Sequence, residues 1–455
     1  MPLQTLNPAT GELLREYPEM ELPEILSILE KVQEDFGPWS RRPVAKRAAR
    51  FKRVAEILRT EKKAFAAVMT KEMGKPIKEA VSEIEKCAWL CEYYVEKGPE
   101  FLADQSIETE ASESFVTFQP LGIVLAVMPW NFPFWQVFRA AVPALIAGNA
   151  VVLKHASNVP ECALTIEAIF QRAGFPLNIF RTLMVTSANA AVIVAHPYVQ
   201  GVTLTGSEEA GKKIAAQAGT QLKKTVLELG GSDAYLVLAD ADLELAAKTC
   251  AASRMINGGQ TCISAKRFIV VERVRAEFEK AVVEAMRDYA MGDPKQPDTK
   301  LGPMARTDLR DELHGQVQRC LNEGATLLLG GEVPDKPGAW YPATVLTDVK
   351  PGMPAYSDEL FGPAAAIIPV KDEAEGIAVA NDTRFGLGAA VFTQDIVEGR
   401  KIAREELHAG AVAVNDFVRS DPRLPFGGIK ASGYGRELAN FGIHEFVNIK
   451  TVVVK

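Results

Sequence analysis

Scarcity narrows this chain before any motif does. Only six cysteines occur in 455 residues, at Cys87, Cys91, Cys162, Cys250, Cys262 and Cys320, and none forms a C-x-x-C pair. That pattern offers no disulfide framework and no zinc site, so the expectation is an intracellular, cytoplasmic chain with free thiols and no bound metal. Cys87 and Cys91 stand four apart on a helical pattern and read as sharing one buried face. A basic excess is also missing: net charge is −7 with both signs interspersed, which argues against a nucleic-acid or anionic-membrane surface. No apolar run is long enough to span a bilayer, which takes ~20 uninterrupted residues. The most apolar region, Leu121 to Leu153, is broken by Pro129, Pro133, Gln136, Arg139 and Pro143. Met1 to Pro8 lacks the charged-then-apolar order of a secretory peptide. No internal repeat, low-complexity tract or G-x-G-x-x-G fingerprint is apparent.

What is present points to a globular α/β protein. The length exceeds the ~250–300 residues at which a single core stops growing, so at least two domains are expected. From Pro23 to about Pro99 apolar residues recur at helical spacing, with breaks at Gly37-Pro38, Arg42-Pro43 and Gly74-Lys75-Pro76. The Lys/Arg run from Arg41 to Arg53 reads as a solvated face. Glu108 to Gln119 alternates and reads as a strand away from the main core. Gly122–Val127, Ala150–Lys154, Ile179–Val185 and Gly201–Leu204 are short apolar β-type runs separated by helical patterns. Strands apolar throughout and alternating with helices indicate βαβ units and a parallel sheet covered on both faces. Further runs at Phe268–Val271, Thr326–Leu329, Ala364–Val370 and Ala411–Asn415 extend the pattern, and Phe446–Val454 reads as a closing strand.

Ligands on such sheets sit beyond the carboxyl ends of the strands. There Thr205-Gly206-Ser207 precedes a helical segment, where bare N–H groups and a helix N-terminus suit a phosphate, although Ser is also an ordinary N-cap. Lys154 ends another run, well placed for an adenosine ribose, although surface lysines at strand ends are common. Glu228 lies in Val-Leu-Glu-Leu-Gly-Gly, and burial would raise its pKa towards that of a base working near neutrality; an unseen Arg or Lys partner is the alternative. Cys262 closes Asn257-Gly-Gly-Gln-Thr-Cys262, an irregular turn between a helical pattern at Leu243–Met255 and a strand at Arg267–Glu272. It is either a thiol presented to a ligand or a small buried hydrophobe.

In combination these stretches resemble the aldehyde dehydrogenase superfamily. The resemblance rests on the order Pro129-Trp-Asn-Phe-Pro133, Thr205-Gly-Ser207, Glu228-Leu-Gly-Gly231, Gly259-Gln-Thr-Cys262, Glu359-Leu-Phe-Gly-Pro363 and Pro425-Phe-Gly-Gly428. It runs from about Asn7 to the C-terminus. It implies a Rossmann-type cofactor domain (1–104 and 121–228), an α/β catalytic domain (229–428), and a small β oligomerisation ribbon (105–120 and 443–455). It also implies Cys262 as nucleophile, Asn131 with the Cys262 N–H as oxyanion hole, and Glu228 as the base for hydrolysis. Trp130, Lys154, Ser157, Gly206, Ser207, Leu229, Glu359 and Phe361 would hold the cofactor. Many NAD-preferring members carry Glu where this chain has Ser157. Loss of that carboxylate removes repulsion of a 2′-phosphate, so NADP is expected to be preferred, with NAD also used. Regional sequence is most similar to succinate-semialdehyde dehydrogenases, in which an Arg and a Ser placed like Arg139 and Ser420 hold a distal carboxylate. For Arg139 a salt bridge within its own helix is the competing reading. Two features of other subgroups are missing: an Arg six residues before the cysteine (here Ile256) and a second Cys two after it (here Ser264). Another semialdehyde such as glutarate semialdehyde, or an uncharged aldehyde, stays open as substrate. A CoA-acylating enzyme and a catalytically dead binding protein are the further alternatives. A homodimer or homotetramer is expected.

Overall fold

A computed structural model describes residues 3–455. Two sheets organise the chain. The first has six strands in the spatial order Gly433–Tyr434, Lys224–Glu228, Val199–Thr205, Ile123–Met128, Ala150–His155 and Phe180–Thr182. All its pairings are parallel except that of Gly433–Tyr434, which returns late in the chain and lies antiparallel to Leu227–Glu228. The second has seven strands, ordered Thr326–Leu329, Thr344–Thr347, Ala364–Val370, Ala265–Val271, Asp233–Val237, Gly388–Phe392 and Ala411–Val414. Its one antiparallel pair is at the Thr326–Leu329 edge. A ribbon of Val447–Val454, Glu113–Pro120 and Gln105–Ser106 stands apart as a third sheet, and Leu3–Leu6 pairs with Leu13–Tyr17 in a small hairpin. Among the described residues no helix is long and apolar enough to cross a membrane.

The central strands are buried on both faces because helices cover both sides, which explains their unbroken apolar sequences. The helix Trp135–Ala147 is buried along its whole length. Such a helix must satisfy both ends internally. At its start the Glu83 carboxylate accepts the Phe134 and Trp135 N–H groups at 2.9 Å each. At its end Arg47 donates to the carbonyls of Ile146 (2.8 Å) and Ala147 (3.2 Å). Arg47, 4% exposed, is the exception in the Arg41–Arg53 run, whose Arg41, Lys46, Lys52 and Arg53 are exposed as its composition suggests. Gly37-Pro38 does not break its helix: Leu22–Ser40 runs through Pro38. The proline is exposed and close to the helix end, where water can satisfy the carbonyl it leaves free. Trp39, fully buried, then pins that end through an Nε1–H bond to the Leu145 carbonyl. Cys87 and Cys91 are both buried on one face of the helix Ile77–Phe101, as their spacing suggests.

Candidate active site

Cys262 sits where the helix Leu243–Met255 gives way to the strand Ala265–Val271. Between them a single 3₁₀ turn, Ile256–Gly259, reverses the chain with positive φ at Asn257 (56°), Gly258 (59°) and Gly259 (74°). The left-handed conformation of Asn257 is sustained by its side chain, whose Nδ2 donates to the carbonyls of Asn131 (2.8 Å) and Gln260 (3.2 Å). Its backbone N–H bonds the buried carboxyl of Glu79 at 2.7 Å. Gly259 has no room for a side chain: an added Cβ would overlap the Gly362 carbonyl. Arg254 donates to the Gly259 carbonyl, Gln260 Oε1 accepts the Ala305 N–H at 2.9 Å, and Lys266 Nζ reaches the carbonyls of Thr261 (3.0 Å) and Cys262 (2.7 Å). The turn is therefore irregular in shape but fully braced.

The partners expected for the thiol are at hand in different degrees. Asn131 is buried, held through its carbonyl by Lys75 (2.9 Å) and through Oδ1 by Gln136 (3.0 Å). Its Nδ2 gives one hydrogen to the Gln260 carbonyl at 2.9 Å, which leaves the second free. Lys75 itself forms a buried ion pair with Glu83, so the charge pair that caps the helix Trp135–Ala147 also positions Asn131. The Cys262 N–H makes no hydrogen bond among the described residues. Glu228 is 2% exposed, and neither carboxylate oxygen has a hydrogen-bond partner among the described residues. Burial, then the like charge of Glu437, raises its pKa well above the ordinary carboxylate range, against the pull of Arg139 and Arg436. Glu228 stands behind the cavity walls rather than on them, with Gly427 packed so closely that an added Cβ would lie 2.7 Å from Oε1. Burial also pushes the Cys262 thiol up to about 12, with Arg139 and Lys266 pulling the other way.

Two cavities, each of about 700 Å³, meet at Cys262 and Gln136. Trp130, Gly206, Ser207, Leu229, Glu359 and Phe361 all line the first. Ser207 caps the helix Glu208–Thr220 through Oγ and the Ala210 N–H (3.3 Å), while Trp130 meets Phe361 edge-on at 5.8 Å. Glu359 is fixed by the Gly231 N–H (3.1 Å) and by Lys266 (3.1 Å). Lys154 and Ser157 do not line this cavity. Lys154 is near the end of the strand Ala150–His155, in register with Val127, and Ser157 lies just beyond that end. Lys154 makes no ion pair among the described residues, and burial lowers its pKa. An uncompensated ammonium beside the exposed Ser157, with the Gly206-Ser207 helix start between it and Glu359, fits a dinucleotide whose ribose carries a 2′-phosphate.

Phe132, Trp135, Arg139, Phe417, Ser420 and Phe426 line the second cavity. Arg139 is paired, though not within its own helix. Its Nε meets Glu437, Nη2 donates to Thr205 Oγ1 at 3.4 Å, and the guanidinium lies over Phe426 at 4.5 Å. Ser420 Oγ accepts the Trp135 indole N–H at 3.2 Å. Arg419 and Arg423 are tied to Asp416 and Asp421. Sequence reasoning passed over Lys75, Glu79, Glu83, Lys266 and Glu437, whose importance comes only from partners brought close by folding.

Fold and cleft together define the class: a two-sheet α/β enzyme with a reactive-site thiol where a dinucleotide-sized cavity meets a more apolar one. Residues 1–452 match the aldehyde dehydrogenase family, and the chain belongs to it. It is 48% identical over 452 residues, 99% of both chains, to a probable succinate-semialdehyde dehydrogenase [NADP(+)] of Synechocystis sp.. It is 46% identical to the succinate semialdehyde dehydrogenase [NAD(P)+] Sad of Escherichia coli, over 98% of this chain and 97% of the relative. The crystal structure of succinic semialdehyde dehydrogenase from Streptococcus pyogenes with NADP+ superimposes with a TM-score of 0.97 at 37% identity, covering 99% of each chain.

Proposed function

We propose that this protein oxidises succinate semialdehyde to succinate, with NADP preferred and NAD also accepted, through a cysteine thiohemiacetal and thioester. The observation that carries the reading is the meeting of both cavities at Cys262, beside a free Asn131 amide hydrogen and a free Cys262 N–H. Cys262 attacks the aldehyde carbon as a thiolate, and these two donors receive the oxyanion. A nicotinamide held in the first cavity would supply the hydride acceptor needed for oxidation of this adduct to the thioester. Trp130, Leu229 and Phe361 wall its cavity; Glu359 answers a ribose, Gly206 and Ser207 a pyrophosphate, and Lys154 with Ser157 the adenosine ribose and 2′-phosphate. Glu228, unpaired and raised in pKa, then takes a proton from the water that cleaves the thioester. Residues 1–104 and 121–228 would carry the cofactor, 229–428 the chemistry, and 105–120 with 443–455 the contact between subunits of a cytoplasmic homodimer or homotetramer. Gly433–Tyr434 falls outside those bounds and supports extending the cofactor unit to include it.

A second reading has an observation of its own. Glu437 already neutralises Arg139, and the second cavity is largely apolar, which favours an uncharged aldehyde. Absorbance of the reduced nicotinamide with succinate semialdehyde, glutarate semialdehyde and butanal, against both cofactors, decides between them. The proposal expects the highest kcat/KM for succinate semialdehyde with NADP; a preference for butanal sinks it, and a strong preference for NAD sinks the cofactor assignment. Cys262→Ala should abolish turnover and leave NADP binding intact. Glu228→Gln should release one equivalent of reduced cofactor in a burst and then turn over at least ~100-fold more slowly, by the usual worth of a general base. Loss of the burst itself would remove Glu228 from the hydrolytic step.

A further inference from the structure

One positive charge sits inside the catalytic turn and touches its backbone rather than either cavity. Lys266 is the second residue of the central strand Ala265–Val271, is 1% exposed, and lines neither cavity. An ammonium taken out of water must be answered from within the protein. Lys266 donates back along the chain to the carbonyls of Thr261 (3.0 Å) and Cys262 (2.7 Å), and its charge pairs with Glu359 Oε1 at 3.1 Å. The neighbouring charges are committed elsewhere. Arg254 donates to the Gly259 carbonyl, and Arg267 to the carbonyls of Ser232, Val379 and Ala380 at 3.0 Å each. Asp233, whose carboxyl also feels the Lys266 charge, accepts the Gly388 N–H at 3.1 Å. Among the described residues Lys266 is therefore the one cation bonded to the Thr261–Cys262 peptide. That peptide matters because it also carries the Cys262 N–H, which makes no hydrogen bond of its own among the described residues. Carbonyl oxygen and amide hydrogen of a planar trans peptide point in opposite directions, so holding the Thr261 carbonyl aims the Cys262 N–H the other way. A positive charge on that oxygen also draws electron density from the nitrogen and makes the N–H a stronger donor. As the Cys262 sulfur bonds the aldehyde carbon, the carbonyl π pair moves to oxygen, and the charge that develops there is what such a donor stabilises. Ser264 holds the same Thr261 carbonyl through Oγ (2.9 Å) and N–H (3.3 Å). Orientation thus has two sources, and charge only one. At Glu359, Oε1 is taken by Lys266 and the Gly231 N–H, which leaves Oε2 without a hydrogen-bond partner among the described residues.

We propose that Lys266 is a positioning residue for the reaction: its charge strengthens the Cys262 N–H as oxyanion donor through the Thr261–Cys262 peptide, and the same charge holds Glu359 with Oε2 free for the cofactor ribose. The first half rests on the oxyanion role given above to the Cys262 N–H, and the second on the ribose role of Glu359.

The test compares wild type, Lys266→Met, Ser264→Ala, Glu359→Gln and the double variant Lys266→Met/Glu359→Gln. Three quantities are read: the single-turnover rate of reduced-cofactor formation, the Kd of NADP by tryptophan fluorescence, and alkylation of the cofactor-free protein by iodoacetamide. Turnover is followed with whichever aldehyde the wild type oxidises best, so a failure of the semialdehyde reading leaves the test intact. Lys266→Met should slow the single turnover at least about tenfold, against the ~100- to 1000-fold lost when a whole oxyanion donor is removed. Ser264→Ala, which takes away a brace but no charge, should cost less than about threefold. Alkylation needs no oxyanion donor, yet it should be slower in Lys266→Met at every pH between about 7 and 9. One of the two cations that oppose the effect of burial on the thiol, Arg139 and Lys266, is then gone. NADP should bind Lys266→Met and Glu359→Gln each about fivefold more weakly, and the double variant no more weakly than the worse of the two. A wild-type single-turnover rate in Lys266→Met overturns the oxyanion half, as does an equal loss in Ser264→Ala, which would mean that the carbonyl is merely held. Additive weakening of NADP in the double variant overturns the tie to Glu359. Unchanged NADP binding in Glu359→Gln removes the ribose reading itself and leaves the oxyanion half standing, whereas reduced cofactor formed by Cys262→Ala removes the thiohemiacetal and the role of Lys266 with it. Folding is judged by circular dichroism and a cooperative thermal transition; if Lys266→Met fails there, Lys266→Gln is read in its place.

Discussion

A thiol drawn out of bulk water holds its proton more tightly, and Cys262, half-buried where the two cavities meet, has its pKa pushed up to about 12. Since only the thiolate is alkylated, the sign of the pH dependence follows. Inactivation by iodoacetamide should speed up by roughly tenfold per pH unit between pH 7 and 9 and show no plateau, because the midpoint lies above that window. A plateau near neutrality, measured as the residual activity after timed exposure, would show that the thiolate is already formed before ligands arrive. Glu228 is the complementary case. Burial and the like charge of the adjacent Glu437 raise its pKa, which strengthens it as a base. The donors around them, Asn131 Nδ2 and the Cys262 N–H, are the parts already set in place.

Among the elements, those bounded by clear stops were legible residue by residue. The patterns at Leu243–Met255, Thr326–Leu329 and Ala364–Val370 coincide with the observed helix and strands. Gly388–Phe392, Asp233–Val237 and Thr344–Thr347 did not stand out, because two are rich in small or polar residues and none is long enough to establish a period. The site divides in the same way. Cys262, Asn131 and Glu228 were legible through motif order, but the Glu437 partner of Arg139 and the Lys75–Glu83 brace depend on segments that only folding brings together. The turn before Cys262 was read as glycine-permissive; its third left-handed residue, Asn257, was not foreseen, since asparagine is equally common in ordinary turns. The bracing of that turn makes a sharp comparison possible. Gly259→Ala should lose most activity and lower Tm, because the methyl has only the Gly362 carbonyl to displace. Gly219→Ala, in the helix Glu208–Thr220 with nothing within 4 Å of an added Cβ, should hold activity and raise Tm slightly. Equal behaviour of the two variants would show that the turn is loose rather than braced.

For the molecule as a whole, the outlying ribbon sets the next expectation. Ile449 (62% exposed) and Val453 (63%) stand on the strand Val447–Val454 and present an apolar surface that a lone chain has no reason to keep. Ile449→Asp combined with Val453→Asp should shift the protein to a smaller species by light scattering coupled to size-exclusion chromatography. An unchanged mass would overturn the proposed subunit contact at this ribbon. The same C-terminal region has a second consequence, for synthesis rather than assembly. Gly427 packs on the Glu228 carboxyl, Gly433–Tyr434 completes the edge of its sheet, and Glu437 supplies its charged neighbour. These residues come more than 160 positions after Cys262 and are synthesised after it. A nascent or prematurely terminated chain can therefore expose Cys262 while lacking the surroundings of its hydrolytic base. Such a chain carries the nucleophile but not the setting of the base that would hydrolyse its thioester, so an acyl group once formed on sulfur would stay there.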